Sequence, residues 1–290
     1  MEGENRLPSR IVIFSVAVLI VMMFACGSVF DWELSELLVD MQSGPALFFT
    51  SFGEYPAAMG LAAAGTMLIM GKNRGLWGII QVITGAWLIL SGAVMAVILP
   101  MAYMGLHPAA AAAVGSAVTV LTVLSLRSAL SGKDKRFLIR MAVLFILVIL
   151  LDIVIVNIIK NVQSRPRMRL IIADERVCFL NWWESGRALR DSLMKAGVSA
   201  EEFRSFPSGH SANASLIMLF SLIPASGRKR NLFFMAGVIW TLAVALSRII
   251  MGAHFLSDTA AGFAIGLAVF VTLTSILFPA KGKVHNTFIH

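Results

Sequence analysis

Three short stretches of this chain hold the residue types that chemistry at a phosphate group needs. Ser247-Arg248-Ile249-Ile250-Met251-Gly252-Ala253-His254-Phe255-Leu256-Ser257-Asp258 sets a cation, an imidazole and a carboxylate between two long apolar runs. If the run from Phe255 onward is helical, His254 and Asp258 sit four apart on one face. The carboxylate can then accept a hydrogen bond from one imidazole nitrogen and leave the other basic, which is how a base or nucleophile is oriented. Pro207-Ser208-Gly209-His210 stands just before another apolar run. There Gly209 lets backbone approach backbone, and free amides at the helix start attract an anion. Lys160 and Arg167, with Arg165 between them, cap the outer end of a third apolar run. Together these stretches would make a phosphate site with two histidines.

The elements that must position them are membrane helices. The chain has 290 residues, 58% hydrophobic and 14% charged, with a mean hydropathy of +0.83. A single soluble core would leave too much of that apolar surface wet. A bilayer core takes about 20 apolar residues as helix, and eight candidate spans meet that need: Ile11 to Phe30, Ala46 to Met70, Leu76 to Met101, Pro108 to Leu126, Met141 to Ile159, Gly209 to Pro224, Leu232 to Met251 and Phe255 to Phe278. Pro56 inside the second implies a kink or an interfacial entry. The sixth is short, and the fourth, rich in Ala and Gly, suits close helix packing.

The net charge of +8 is topological and does not point to nucleic acid. Arg6, Arg10, Lys72, Arg74, Arg127, Lys133, Lys135, Arg136, Arg140, Arg228, Lys229, Arg230, Lys281 and Lys283 all fall on one set of alternate loops, the set expected to be cytoplasmic. The opposite Asp31 to Glu54 segment carries Asp31, Glu33, Glu36, Asp40 and Glu54 and no Lys or Arg. The other cations on that side lie in the motif regions, so both termini are expected in the cytoplasm and all three motifs outside. Cys26 and Cys178 lie in dissimilar settings and imply no disulfide, and no metal-ligand cluster is visible. Met23-Phe24-Ala25-Cys26 faintly resembles a lipoprotein cleavage box, but the apolar run continues past it and further spans follow, which argues against cleavage. In the polar Asn161 to Phe206 loop, Glu184 to Lys195 is expected to form an amphipathic helix with Ala188, Leu189 and Leu193 on one face, either a plain surface helix or a lid. Trp182 and Trp183 suit an interface. Asp152 and Asn157 stand in the fifth span, where a carboxylate is costly unless paired or neutral; a hydrogen bond to a neighbouring helix and a proton relay are the two readings. Arg165 is either part of the site or a contact to lipid headgroups. His107, His285 and His290 read as loop or tail residues.

The three stretches, in this order, resemble the type 2 phosphatidic acid phosphatase superfamily, whose pattern is Lys-x6-Arg-Pro, then Pro-Ser-Gly-His, then Ser-Arg-x5-His-x3-Asp. The first matches at Lys160 and Arg167, with Met168 where the family has proline; the second, Pro207 to His210, and the third, Ser247 to Asp258, match in full. The resemblance covers roughly the C-terminal half. With the span count, the chain is expected to be an all-α polytopic transmembrane bundle of about eight spans, with N-terminal transmembrane helices in residues 1–140 and, in residues 141–290, the phosphatase core with the three motifs and an extracytoplasmic loop at 161–206; the resemblance implies a core of about six helices. It also implies roles: Lys160, Arg167 and Arg248 clamp phosphate oxygens, Ser208 and Gly209 add hydrogen bonds, and His254, held by Asp258, attacks phosphorus to form a phosphohistidine. His210 serves as acid and then base. No metal or other cofactor is required, because guanidinium and ammonium groups supply the positive field. The expected function is hydrolysis of a phosphomonoester or diphosphate of a bilayer lipid at the outer face of a plasma membrane, bacterial by its compact loops. Undecaprenyl diphosphate is the favoured substrate. Phosphatidylglycerophosphate, phosphatidic acid, transfer to another lipid, and a non-enzymatic lipid-binding or transport role are the alternatives.

Overall fold

The computed structural model describes residues 7–279. Expectations resting on Arg6, Lys281, Lys283, His285 and His290 lie outside the described residues. Every element in it is helical, as expected, and six helices are long and apolar enough to cross a membrane. In chain order the helices are α1 (Arg10–Leu38), α2 (Gly44–Phe52), α3 (Tyr55–Met70), α4 (Leu76–Met104), α5 (Pro108–Ala129), α6 (Lys135–Gln163), α7 (Met168–Ala173), α8 (Arg187–Lys195), α9 (Gly209–Ser215), α10 (Gly227–Ile250) and α11 (Leu256–Leu277).

Two of the eight expected spans are broken, for local reasons. The second divides at Gly53 and Glu54 into α2 and α3, with Pro56 in the first turn of α3, where its missing N–H costs nothing. The sixth begins as the short α9 and tightens into a 3-10 segment, Leu216–Leu222. Elsewhere polar side chains set the helix ends. Ser9 Oγ accepts from the Val12 amide at the start of α1, and Asp134 accepts from the Arg136 and Phe137 amides at the start of α6. His107 caps α5 through Nδ1, which accepts from the Ala109 amide, so it is a capping residue as well as a loop residue.

The core packs α3 against α4, α5 and α6, α1 against α11, and α9 amid α3, α6, α10 and α11. Met67, Met141, Leu144, Phe145, Phe234 and Phe263 fill its centre. Ile11, Phe14, Leu76, Trp77, Trp87 and Leu90 point outward and are more than half exposed. Lipid tails are as apolar as leucine, so these outward side chains add little to helix association; close packing of small residues does that work. Gly262 shows it, because a Cβ there would collide with the Ser208 carbonyl. That close approach sets α9 directly against α11. The up-and-down order of the long helices gathers the ends of α1, α4, α6 and α10 and the starts of α3, α9 and α11 at one end of the bundle. The basic stretches at Lys72, Arg127 to Arg140 and Arg228 to Arg230 lie at the other.

Candidate active site

At the first of these ends a cavity of about 530 Å³ is lined by Lys160, Arg167, Gly209, His210, Arg248 and His254. Six of the eight residues singled out from the sequence therefore share one chamber. Lys160 reaches it from the last turn of α6, after which Ser164 adopts a left-handed conformation (φ 53°) and turns the chain toward Arg165 and Arg167. Arg248 comes from the last turn of α10. Gly252, at φ 58°, supplies the left-handed step that ends this helix and brings His254 back over the cavity.

His254 is buried, and its Nδ1 stands 2.6 Å from the Ser205 carbonyl. A carbonyl only accepts, so Nδ1 carries the proton and Nε2 keeps its lone pair. The expected hydrogen bond from His254 to Asp258 is not made, since Nδ1 lies 3.8 Å from Asp258 Oδ2. That oxygen already accepts from the Phe255 amide at 2.8 Å and from Ser205 Oγ at 2.5 Å, so it caps α11 and fixes Ser205, which in turn holds His254. Burial pushes the imidazole pKa of His254 well below its ordinary value; the nearby Asp258 opposes this, and Lys160, Arg167 and Arg248 add to it.

The other Asp258 oxygen accepts from Arg165 at 2.6 Å. Arg165 is fully buried and pairs also with Asp31 of α1 at 3.0 Å. It donates further to Ser257 Oγ and the Leu180 carbonyl and lies 4.2 Å from the Phe255 ring centre. This arrangement excludes the reading of Arg165 as a headgroup contact. Asp31 also accepts from the Ser257 amide at 2.9 Å and from the Ser257 hydroxyl, so α1 caps the start of α11 from outside the three motifs.

Around His210 the N-terminal helices contribute as well. Its Nδ1 lies 3.7 Å from Glu54 Oε1, which accepts from Asn213 at 2.8 Å. Its ring meets Tyr103 edge to face at 5.2 Å, and its buried Nε2 has no hydrogen-bond partner. Arg248 donates to Thr50 Oγ1 at 3.0 Å, and Lys160 donates to the Arg204 carbonyl at 2.9 Å. Arg167 is paired with Glu201, and Arg169 grips Glu202 through two bonds of 2.9 and 2.6 Å. Carboxylates thus occupy the guanidinium groups at the cavity's outer edge.

Ser208 does not line the chamber. Its Oγ accepts from the Ser211 amide and hydroxyl as the cap of α9. A Cβ on Gly209 would stand 3.7 Å from Lys160 Cε, an ordinary contact. Glycine there keeps the backbone open to the cavity and is not demanded by crowding. Asp152 and Asn157 both line the cavity. Asn157 accepts from Arg204, whereas Asp152 Oδ1 has no partner. Ile153 and Asn157 line it from an exposed stretch of α6, as do Ala102 and Tyr103 at the end of α4, so exposed residues of both helices border the chamber. In the loop, α8 buries Leu193 with Leu170, Val177 and Phe203, and Leu189 packs against them; this is a packed helix. Trp182 donates to Ser28 and lies against Phe24 and Phe206.

Asp31, Thr50, Glu54 and Tyr103 are the site residues that sequence reasoning passed over. A faint signal existed for the first: Gly27, Asp31 and Ser35 form a stripe at i, i+4 and i+8 on α1, all buried, while Glu33 and Glu36 beside them are exposed.

A bundle of membrane-length helices with a cation-lined chamber at one end defines the class: a polytopic helical membrane protein. Residues 141–281 match the family model described as the PAP2 superfamily, and this segment of the chain belongs to it. Phosphatidylglycerophosphatase B of Bacillus subtilis (strain 168) is 41% identical over 73 residues, 23% of this chain and 36% of that protein. Lipid A 1-phosphatase of Rhizobium johnstonii (strain DSM 114642 / LMG 32736 / 3841) is 38% identical over 80 residues, 28% of this chain and 30% of that protein. The chain therefore spans about a third of the length of these curated relatives. No solved structure gives a significant match.

Proposed function

We propose that the protein is a lipid phosphate phosphatase that works through a phosphohistidine on His254, without a metal, at the extracytoplasmic face of a bacterial plasma membrane. The observation that carries this reading is the single cavity shared by His254, His210, Lys160, Arg167 and Arg248; the exposed residues of α4 and α6 at its border are where a headgroup would enter while its tail stays in the bilayer. Lys160, Arg167 and Arg248 take the non-bridging oxygens, where fixed positive charge stabilises the transition state most. The backbone at Gly209 adds a hydrogen bond, and Ser208 acts by capping α9. His254 Nε2 forms a bond to phosphorus as the bond to the leaving oxygen breaks, and His210, as the imidazolium, gives that oxygen its proton. Phosphate entering between the cations neutralises them and, with Glu54 3.7 Å from Nδ1, favours the charged form of His210. Water then attacks phosphorus while neutral His210 takes its proton. The phosphorus–nitrogen bond breaks, releasing inorganic phosphate and restoring both imidazoles.

The substrate is a phosphomonoester or diphosphate of a membrane lipid. Undecaprenyl diphosphate belongs to this class on family grounds, and phosphatidylglycerophosphate belongs to it through the name of the Bacillus relative. The test is phosphate release by detergent-solubilised protein in chelator, from a panel of such lipids. Wild type should release phosphate, His254→Ala should lose turnover altogether, and His210→Ala should lose about 10²- to 10⁴-fold. Equal inactivity of wild type and His254→Ala across the panel would end the hydrolase reading.

A further inference from the structure

The cavity is longer than one phosphate requires. Asp152, Val156 and Lys160 follow one another at i, i+4 and i+8 on α6 and all line it, so it runs along about 12 Å of that helix. Its outer end is cationic, with Lys160, Arg167 and Arg248. Its inner end holds Asp152, Glu54 and Asn213. Asp152 is 1% exposed and its Oδ1 meets no donor, which is costly for a buried carboxyl group unless something fills the place.

His210, 7% exposed, stands at the boundary between the two ends, with Glu54 beside Nδ1 and an unpartnered Nε2. In-line displacement puts the leaving oxygen on the side of phosphorus away from the attacking His254, within reach of His210. What is attached to that oxygen therefore continues toward Glu54 and Asp152. Their oxygens accept from hydrogen-bond donors there, and among the described residues no lysine or arginine pairs with them to take a second phosphate.

Resting on the proposed function, we propose that Asp152 and Glu54 form a subsite for hydroxyl or ammonium groups on the alcohol portion of the substrate. The subsite selects lipid phosphates that carry such a donor a few bonds from the scissile phosphate over those that carry none. A site that hydrogen-bonds a substrate hydroxyl discriminates strongly against the analogue lacking it. One charged hydrogen bond to a carboxylate sets the scale here at about 10- to 100-fold in kcat/KM.

The experiment compares kcat/KM for four lipids in the same detergent: phosphatidic acid, with no donor; phosphatidylglycerophosphate, with a hydroxyl close to the scissile phosphate and its phosphodiester farther along; sphinganine 1-phosphate, with an ammonium and a hydroxyl; and undecaprenyl diphosphate, with a second phosphate joined directly to the first. Wild type should favour the second and third over the first and fourth by about 10-fold or more, and comparing those two separates hydroxyl from ammonium recognition. Asp152→Val should collapse that ratio, and Asp152→Asn, which keeps an acceptor, should retain part of it. A fraction of misfolded variant cancels in the ratio. Wild-type activity without preference, or an unchanged ratio in Asp152→Val, overturns the subsite and leaves the phosphatase reading standing. Inactivity of wild type on all four lipids overturns the phosphatase reading itself and the subsite with it.

Discussion

Replacing Arg165 by methionine removes the one cation between two buried carboxylates. Asp31 lies 3.0 Å from it and Asp258 2.6 Å, and neither reaches solvent to any useful extent. Once the guanidinium is gone, both carboxylates keep their other hydrogen bonds, to Ser257, Ser205 and the Phe255 amide, but share a dry pocket as like charges. Breaking a buried pair by removing one partner costs about 3–5 kcal/mol, because desolvation of the survivor is no longer offset. For a chain of this size about 1 kcal/mol corresponds to 2–4 °C, so Arg165→Met should lower the unfolding temperature in detergent by roughly 6–20 °C. Adding Asp31→Asn removes one of the stranded charges, and the double variant should be more stable than the sum of the single costs by about 1–3 kcal/mol. Activity should fall with stability, because Asp258 fixes Ser205 and Ser205 holds His254. The measurement is thermal unfolding of the four proteins in one detergent, with phosphate release alongside. A loss below about 1 kcal/mol for Arg165→Met, or strictly additive costs in the double variant, would refute the proposed chain of contacts from α1 to the nucleophile.

Two further predictions concern the cavity. His254 is held neutral by burial, and protonation would remove its lone pair, so the acid limb of kcat/KM should lie well below pH 6.5, where an ordinary imidazole titrates. The same depressed pKa means the unfolded chain binds more protons below pH 6.5, so stability should decline from there as pH falls toward the folded-state pKa. Profiles of kcat/KM and unfolding temperature against pH check both, and an acid limb at or above 6.5 assigned to His254 contradicts the burial argument. Glu201 occupies Arg167 from a half-exposed position, so Glu201→Gln should free the guanidinium for substrate. Exposed pairs are worth about 0.2–1 kcal/mol, which implies a KM lower by about 1.5- to 5-fold with kcat little changed; an unchanged or higher KM argues against competition between Glu201 and phosphate.

The N-terminal helices, outside the segment that matches the family model, are structurally part of this site. They contribute Asp31 to the Arg165 network, Thr50 to Arg248, and Glu54 and Tyr103 to His210. The expected division at residue 140 separates helices by sequence. The cavity wall does not follow it.

What the sequence by itself determined was local in character. Hydropathy over about 20 residues marks a membrane helix whatever surrounds it, Pro56 marks a break because its ring and missing N–H act within one turn, and the motif spacing brings His254 and Asp258 together at the start of α11, although His254 stands just ahead of that helix and not on it. The tertiary structure decided the rest. His254 donates its hydrogen bond to a carbonyl 49 residues away, and the carboxylate four residues on is spent on capping α11 and holding Ser205. Arg165 finds a counterion 134 residues earlier in the chain, and His210 finds Glu54 from a helix break before the third helix. Hydrogen-bond and charge partners of this kind are chosen by which surfaces pack together, and packing between distant segments leaves no period or spacing in the chain from which the partner could be read.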